Sequence, residues 1–321
     1  MNFKPIIIAH GEPNSVFLEI FFKSINFKKF KSPLILVCSQ KIIKFQMKKL
    51  KFNEDINIIN PISIDKIKLN NKKINVIDIK YNRDVKFSKI TSKSNNYIKN
   101  CFETSIEIIN SGITDKFING PVSKKSFLRK NFLGITEYLT KMTNVNQSAM
   151  LIYNKKLSVC PITTHLPLKL VAKNITKKKI EEKIYLINDF YKKKMGFKPR
   201  IAVLGLNPHC ESIDSINEDE KIINPTIKYL SKKKIKVKGP YSADTAFLKK
   251  NIRNFDVVVG MYHDQVLTPM KTLYEYDAIN ITLGLPFIRI SPDHGPNHEM
   301  LGQNKSNPLS LIRAIEFLDK Y

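Results

Sequence analysis

Apolar and polar positions alternate along this chain in patterns of two lengths. Short runs rich in Ile, Val and Leu are bounded by polar, Pro or Gly positions. They predict strands over 5–9, 34–38, 74–79, 116–119, 149–153, 157–162, 200–206, 255–261 and 278–283. Longer stretches between them carry apolar residues at helical spacing. They predict helices over 41–51, 96–111, 176–194, 219–233, 243–251 and 308–321. In the third of these, Thr176 stands at the N-cap and Ile180, Ile184 and Ile187 follow at steps of three and four. Pro308 suits the first turn of the last helix. Alternation of strand and helix predicts an α/β fold with a largely parallel sheet. Residues 53–94 are polar, rich in Lys and Asn, and are expected at the periphery of a first lobe.

Length and composition narrow the class. With 321 residues, 42% of them hydrophobic, the chain can build a core as one large domain or two lobes. No run approaches the roughly 20 apolar residues that span a membrane. The first apolar run meets His10-Gly11 at once, without the segments of a signal peptide, so a cytoplasmic location is expected. Cys38, Cys101, Cys160 and Cys210 form no C-x-x-C pair and read as free thiols. The net charge of +26 invites a nucleic-acid partner. However, only six of the 54 basic residues are arginine, and the lysines are scattered in small groups beside helix-like stretches. That distribution reads as solvated faces with a general attraction for anionic metabolites, and it argues against nucleic acid.

Three of the six histidines share a setting. His165, His209 and His263 each lie just past the carboxyl end of a predicted buried strand. Ligands bind at that edge in open α/β sheets. Imidazole is a common metal ligand, and three would leave positions open for substrate oxygens. Separations of 44 and 54 residues fit ligands from different strands, not a zinc finger. The bland alternative is three isolated strand-end histidines with local hydrogen bonds. His294 lies in Asp293-His294-Gly295, where a glycine after a strand lets backbone approach a ligand, or simply makes a turn. His298 reads as a surface residue and His10 as part of a structural turn.

Other groups could hold an anion. Gly120-Pro121-Val122-Ser123-Lys124 follows a strand and could bring backbone N–H groups and an ammonium together. Thr136 could bind a ligand or cap a helix. Lys271, Asn280 and Arg289 follow His263 at nine-residue intervals. Arg289 sits in an apolar segment, where its charge needs a phosphate, a carboxylate or an internal acid. The G-x-G-x-x-G, Walker A and G-x-S-x-G patterns are absent.

From about Gly120 onward, these blocks resemble the 4-hydroxythreonine-4-phosphate dehydrogenase family of pyridoxal phosphate biosynthesis. The carrying motifs are Gly120-Pro121-Val122 with Lys124, Thr136-Glu137, Thr164-His165-Leu166-Pro167 and Gly205-Leu206-Asn207-Pro208-His209. They continue with Ala243-Asp244-Thr245, Met261-Tyr262-His263-Asp264-Gln265, the run from Asn280 to Arg289, and Asp293-His294-Gly295.

The resemblance implies a two-lobed isocitrate/isopropylmalate-dehydrogenase-like fold with its active site in the inter-lobe cleft. The expected lobes are 1–120 with about 270–321, and about 121–269. It implies a homodimer sharing a metal site of His165, His209 and His263, taking one divalent ion such as zinc, cobalt or magnesium. It implies substrate contacts from Thr136, Lys271, Asn280 and Arg289, and an NAD-binding loop at Asp293, His294, Gly295 and Gly302. Lys124 and Asp244 are candidates for proton transfer. The implied reaction is oxidation and decarboxylation of 4-(phosphooxy)-L-threonine to 3-amino-2-oxopropyl phosphate.

The chain departs from the family pattern at four places. Ile135 replaces a histidine before Thr136, and Ser123 replaces one before Lys124. Residues 14–18 lack the usual glycines, and Pro296-Asn297 replaces a small pair. Ile135 motivates an alternative substrate, a phosphorylated sugar acid such as a tetronate 4-phosphate. A non-enzymatic polyanion-binding protein is the remaining alternative, motivated by the lysine excess.

Overall fold

The computed structural model describes residues 3–128, 131–132, 134–212, 217–292 and 294–321. Its strands in chain order are β1 (Ile6–Ala9), β2 (Leu34–Cys38), β3 (Ile56–Ile58), β4 (Ile74–Asp78), β5 (Lys116–Asn119) and β6 (Ala149–Tyr153). There follow β7 (Ser158–Thr163), β8 (Ile201–Leu204), β9 (Val237–Tyr241), β10 (Val257–Tyr262), β11 (Ile279–Leu283) and β12 (Ile288–Pro292). The chain divides into two compact units, Met1–Tyr138 with Pro286–Tyr321, and Leu139–Leu285. The sequence expectation placed these crossings near 120 and 270.

In the first unit the strands run in the order β3-β4-β2-β1-β5-β12, with every neighbouring pair parallel. Ile6, Ile7 and Ile8 of β1 are all fully buried. An unbroken apolar run is what a parallel strand covered on both faces requires. Helix Asn95–Asn110 packs on β1, β2 and β5, and helix Leu309–Leu318 packs on β12 and on helix Phe17–Phe27. Each fully buried Ile or Phe in these contacts contributes about 1.5–3 kcal/mol.

The exits of β1 and β5 touch backbone to backbone. The Gly120 amide donates to the Ala9 carbonyl (2.8 Å) and the Glu12 amide to the Pro121 carbonyl (2.9 Å). A Cβ on Gly120 would stand 2.0 Å from the His10 carbonyl oxygen, so only glycine permits the approach.

In the second unit the order is β11-β6-β7-β10-β8-β9. Strands β7, β10, β8 and β9 are mutually parallel, and β6 is antiparallel to both its neighbours. Val159, Ala202, Leu204, Val258, Val266 and Met270 form the centre of its core. Helix Lys177–Phe190 buries Ile180, Ile184 and Ile187, and the Thr176 hydroxyl caps it by accepting from the Lys179 amide.

Four of the elements that escaped the sequence pattern have clear reasons. Helix Phe17–Phe27 buries seven of its eleven residues and so lacks a clear polar face. Helix His263–Tyr274 contains Pro269, which reads as a breaker. Strands β3 and β9 are edge strands, the first three residues long and the second carrying Gly239-Pro240. The predicted 243–251 helix is two short ones, Ala243–Ala246 and Lys249–Ile252, because Leu248 is extended.

Candidate active site

Strands β7, β10 and β8 are adjacent and parallel, so their carboxyl ends share one edge of the second unit. Each is followed by a histidine of the predicted set: His165 two residues past β7, His263 immediately after β10, and His209 five residues past β8. The Thr163 hydroxyl donates to the Met261 carbonyl (2.7 Å) and locks the ends of β7 and β10 together. The His165 and His263 rings consequently lie 5.6 Å apart, centroid to centroid, at 38°.

His263 Nδ1–H donates to the Asp264 carboxylate (2.6 Å), which leaves the ring's lone pair on Nε2. A carboxylate behind an imidazole is the usual support of a metal-bound histidine. This donor set fits a divalent ion. Among the described residues no three His, Cys, Asp or Glu side chains gather as a metal set, so His209 does not join the pair within one chain.

His209 sits in a short turn, Pro208–Cys210, with φ of +56°. Its neighbour Cys210 also has a positive φ, +62°. Burial raises the Cys210 thiol above its ordinary range, and nearby Asp219 and Asp244 add to the effect, so this cysteine is a poor nucleophile. Asp244 itself is exposed on helix Ala243–Ala246.

Two predicted substrate residues lie in this unit. Lys271 is half-buried on helix His263–Tyr274. Asn280 is on β11 opposite Ile152, and its Oδ1 is buried with no hydrogen-bond partner among the described residues. A buried acceptor of this kind awaits a donor from a ligand or water.

The remaining residues lie in the first unit. Arg289 on β12 is 0% exposed, and its Nε donates to Asn119 Oδ1 (2.6 Å). Burial lowers its pKa to about 9, with Glu137 opposing the shift, so it stays cationic at neutral pH. Thr136 is half-buried on helix Ile135–Met142, beside Ile135. Lys124 is exposed at the start of the short helical turn Lys124–Leu128.

In the expected cofactor loop, Asp293 lies outside the described residues. His294 Nδ1 is 2.8 Å from the Gly295 carbonyl oxygen. A Cβ on Gly295 would meet none of the described residues within 4 Å, so packing against them does not demand glycine there. Open space over bare backbone suits the close approach of a dinucleotide. Gly302 differs: its φ is +80°, and a Cβ would stand 2.7 Å from the Phe87 ring. The loop is held by the Val16 amide donating to the Pro296 carbonyl (3.1 Å) and by His298 Nε2 bonding the Ser88 carbonyl (2.9 Å). His298 therefore has a structural partner, where the sequence suggested a surface residue.

His10 is part of the core. Its Nδ1 lies 2.8 Å from the Tyr97 hydroxyl and 3.2 Å from Cys38 Sγ. Burial lowers its pKa to about 3, so the ring is neutral. The sequence reading did not single out Glu12, Asn119, Asp219 or Gln265 for a role. Gln265 was visible within the Met261-to-Gln265 motif, but its partner Gly205 lies 60 residues away.

The architecture is an isocitrate/isopropylmalate-dehydrogenase-like α/β fold. A β-decarboxylating dehydrogenase from Thermococcus kodakarensis shares the fold at a TM-score of 0.53 and 10% identity, over 98% of this chain and 81% of that one. Residues 29–318 match the family model of the pyridoxal phosphate biosynthetic protein PdxA, and the chain belongs to that family.

A 4-hydroxythreonine-4-phosphate dehydrogenase of Sulfurihydrogenibium sp. (strain YO3AOP1) is 39% identical over 97% of this chain and 96% of its own length. A D-threonate 4-phosphate dehydrogenase of Pectobacterium atrosepticum is 33% identical over 76% of each. The crystal structure of 4-hydroxythreonine-4-phosphate dehydrogenase from Klebsiella pneumoniae superposes at a TM-score of 0.83 and 28% identity, over 98% of each chain. No helix among the described residues is long and apolar enough to cross a membrane.

Proposed function

We propose that this chain is an NAD-dependent, divalent-metal-assisted dehydrogenase that oxidises and decarboxylates 4-(phosphooxy)-L-threonine to 3-amino-2-oxopropyl phosphate. The observation that carries the reading is the family match across residues 29–318. When bound, a divalent ion supplies Lewis acidity toward the substrate hydroxyl and carboxylate, and NAD supplies the hydride acceptor.

The chain's own residues do the rest. His165 and His263 present imidazoles from adjacent strand ends, with Asp264 fixing the His263 tautomer. His209 completes the set from the second protomer of a homodimer. Arg289, held by Asn119 and cationic at neutral pH, and Lys271 bind the phosphate and carboxylate ends. Asn280 Oδ1 and Thr136 orient the substrate's polar groups. Asp244 accepts the hydroxyl proton as hydride leaves. Lys124 Nζ returns a proton to the carbon that loses carbon dioxide. His294 and Gly295, with Asp293 and Gly302, hold the dinucleotide.

A second reading keeps the chemistry and changes the substrate to D-threonate 4-phosphate. Ile135, at the head of the Thr136 helix, favours it by replacing a polar group with an apolar one. It draws further support from the Pectobacterium relative. NADH formation, followed with each substrate in the presence of Zn²⁺, Co²⁺ or Mg²⁺, tests both. A higher kcat/KM for 4-(phosphooxy)-L-threonine supports the first reading, and the reverse preference supports the second. Turnover of neither, by protein that binds NAD and metal, removes both.

A further inference from the structure

We propose that Gln265 and Asp219 are positioning residues that hold the His209 loop in the geometry its imidazole needs to ligate a divalent ion. The inference rests on the metal reading above. His209 is the member of the trio farthest from its strand, five residues past β8. Its loop contains two successive non-glycine residues of positive φ, His209 and Cys210. L-residues adopt that region sparingly, and surroundings must over-determine it.

Two side chains do so. Asp219, 1% exposed, grips the backbone just before His209. Its Oδ1 accepts from the Leu206 amide (2.8 Å), and its Oδ2 accepts from the Asn207 amide (3.1 Å) and from Asn207 Nδ2 (2.9 Å). Gln265 bridges two strand ends. Its Oε1 accepts from the Met261 amide (2.7 Å), and its Nε2 donates to the Gly205 carbonyl (2.8 Å). It thereby ties the end of β10, which carries His263, to the first residues after β8, which carry His209.

Gly205 shows how tightly the clamp is closed. A Cβ there would lie 2.7 Å from Asp219 Oδ1 and 2.7 Å from Cys210 Sγ. All of these bonds except the one to Met261 fall on residues 205–207, just before His209. Loss of a partner that orients a ligand lowers metal affinity by about 10- to 100-fold in comparable sites.

The test uses the full-length protein and Co²⁺ alone, whose visible absorption reports ligand number and geometry. Wild type, H209A, Q265M, Q265E and D219N are titrated with Co²⁺, and their metal-free melting midpoints are compared. Q265M keeps the side chain's shape and loses both bonds. Q265E keeps the acceptor for Met261 and loses the donor to Gly205. D219N keeps one of two acceptor oxygens. Q265M, Q265E and D219N are each expected to weaken Co²⁺ about 10- to 100-fold and to change its spectrum, with the metal-free midpoint of Q265E, which keeps the Met261 acceptor, closest to wild type. Wild-type affinity and spectrum in Q265M and Q265E overturn the proposal, whether or not D219N folds. If H209A itself binds Co²⁺ as wild type does, the metal reading of His209 fails and takes the proposal with it. If H209A weakens binding and the Gln265 variants do not, the metal reading stands and the clamp alone is refuted.

Discussion

Arg289 on β12 donates from Nε to Oδ1 of Asn119 at the end of β5, over 2.6 Å and 170 residues of sequence. Parallel pairing sets Arg289 opposite Phe117, two residues before Asn119. The Asn119 carboxamide is itself locked, since its Nδ2 donates to the Gly120 carbonyl (2.8 Å). A guanidinium wholly removed from water is thus oriented in part by a neutral side chain. Asn119→Leu keeps the apolar packing and strips the acceptor. It is expected to destabilise the fold by about 1–3 kcal/mol, read as a lowered urea midpoint with an unchanged slope.

The same substitution at two glycines should give opposite results. Gly120→Ala drives a Cβ into the His10 carbonyl at the crossing of two strand exits, and backbone cannot move aside cheaply. It is expected to cost about 3 kcal/mol, the upper end of the overpacking range. Gly295→Ala meets open space and should leave stability within about 0.5 kcal/mol, yet weaken dinucleotide binding. Melting curves and NAD titration of the two variants check both halves, and unchanged NAD affinity in Gly295→Ala counts against the loop's assignment.

Asn280 separates function from stability in the same way. Its buried Oδ1 has no partner among the described residues, so truncation removes an acceptor that they do not use. Asn280→Ala is expected to leave the melting midpoint unchanged or raised. KM for the phosphorylated substrate should rise by about 10-fold, the equivalent of ~1.4 kcal/mol. A destabilised variant with unaltered KM would make Asn280 structural.

The readable parts of this chain are those that depend on local pattern. Buried parallel strands announce themselves as β-branched runs, which is why β7, β8 and β10, and the histidines after them, were visible. Helix Phe17–Phe27 was not, because burial on nearly every side erases the polar face that periodicity detects. Helix His263–Tyr274 was hidden by Pro269. The bond networks were invisible for another reason. Tyr97 reaches His10 across 87 residues, and Gln265 reaches Gly205 across 60, so no local signal marks either pair. For the same reason the sequence read His10 as a turn residue: only the fold surrounds it with Tyr97 and Cys38.

His10 and Glu12 set opposing pH slopes at the exit of β1. Burial lowers the His10 pKa from 6.5 to about 3, so between these values the unfolded chain binds the extra proton. Stability therefore falls as pH drops below 6.5. Burial raises the Glu12 carboxyl from 4.5 to about 7, with the Asn14 amide bonded to Oε1 as the weaker, opposing influence. Here the folded chain holds the extra proton, so the contribution is full below 4.5 and is lost as pH rises through 7. The two slopes oppose each other between 4.5 and 6.5, and only the Glu12 slope continues above. Glu12→Gln supplies a neutral side chain at every pH. It is expected to gain up to about 3 kcal/mol over wild type at pH 8 and little at pH 4.5. Urea midpoints of the two proteins across that range decide the matter: parallel curves would show that Glu12 is ionised in the folded chain as freely as in the unfolded one.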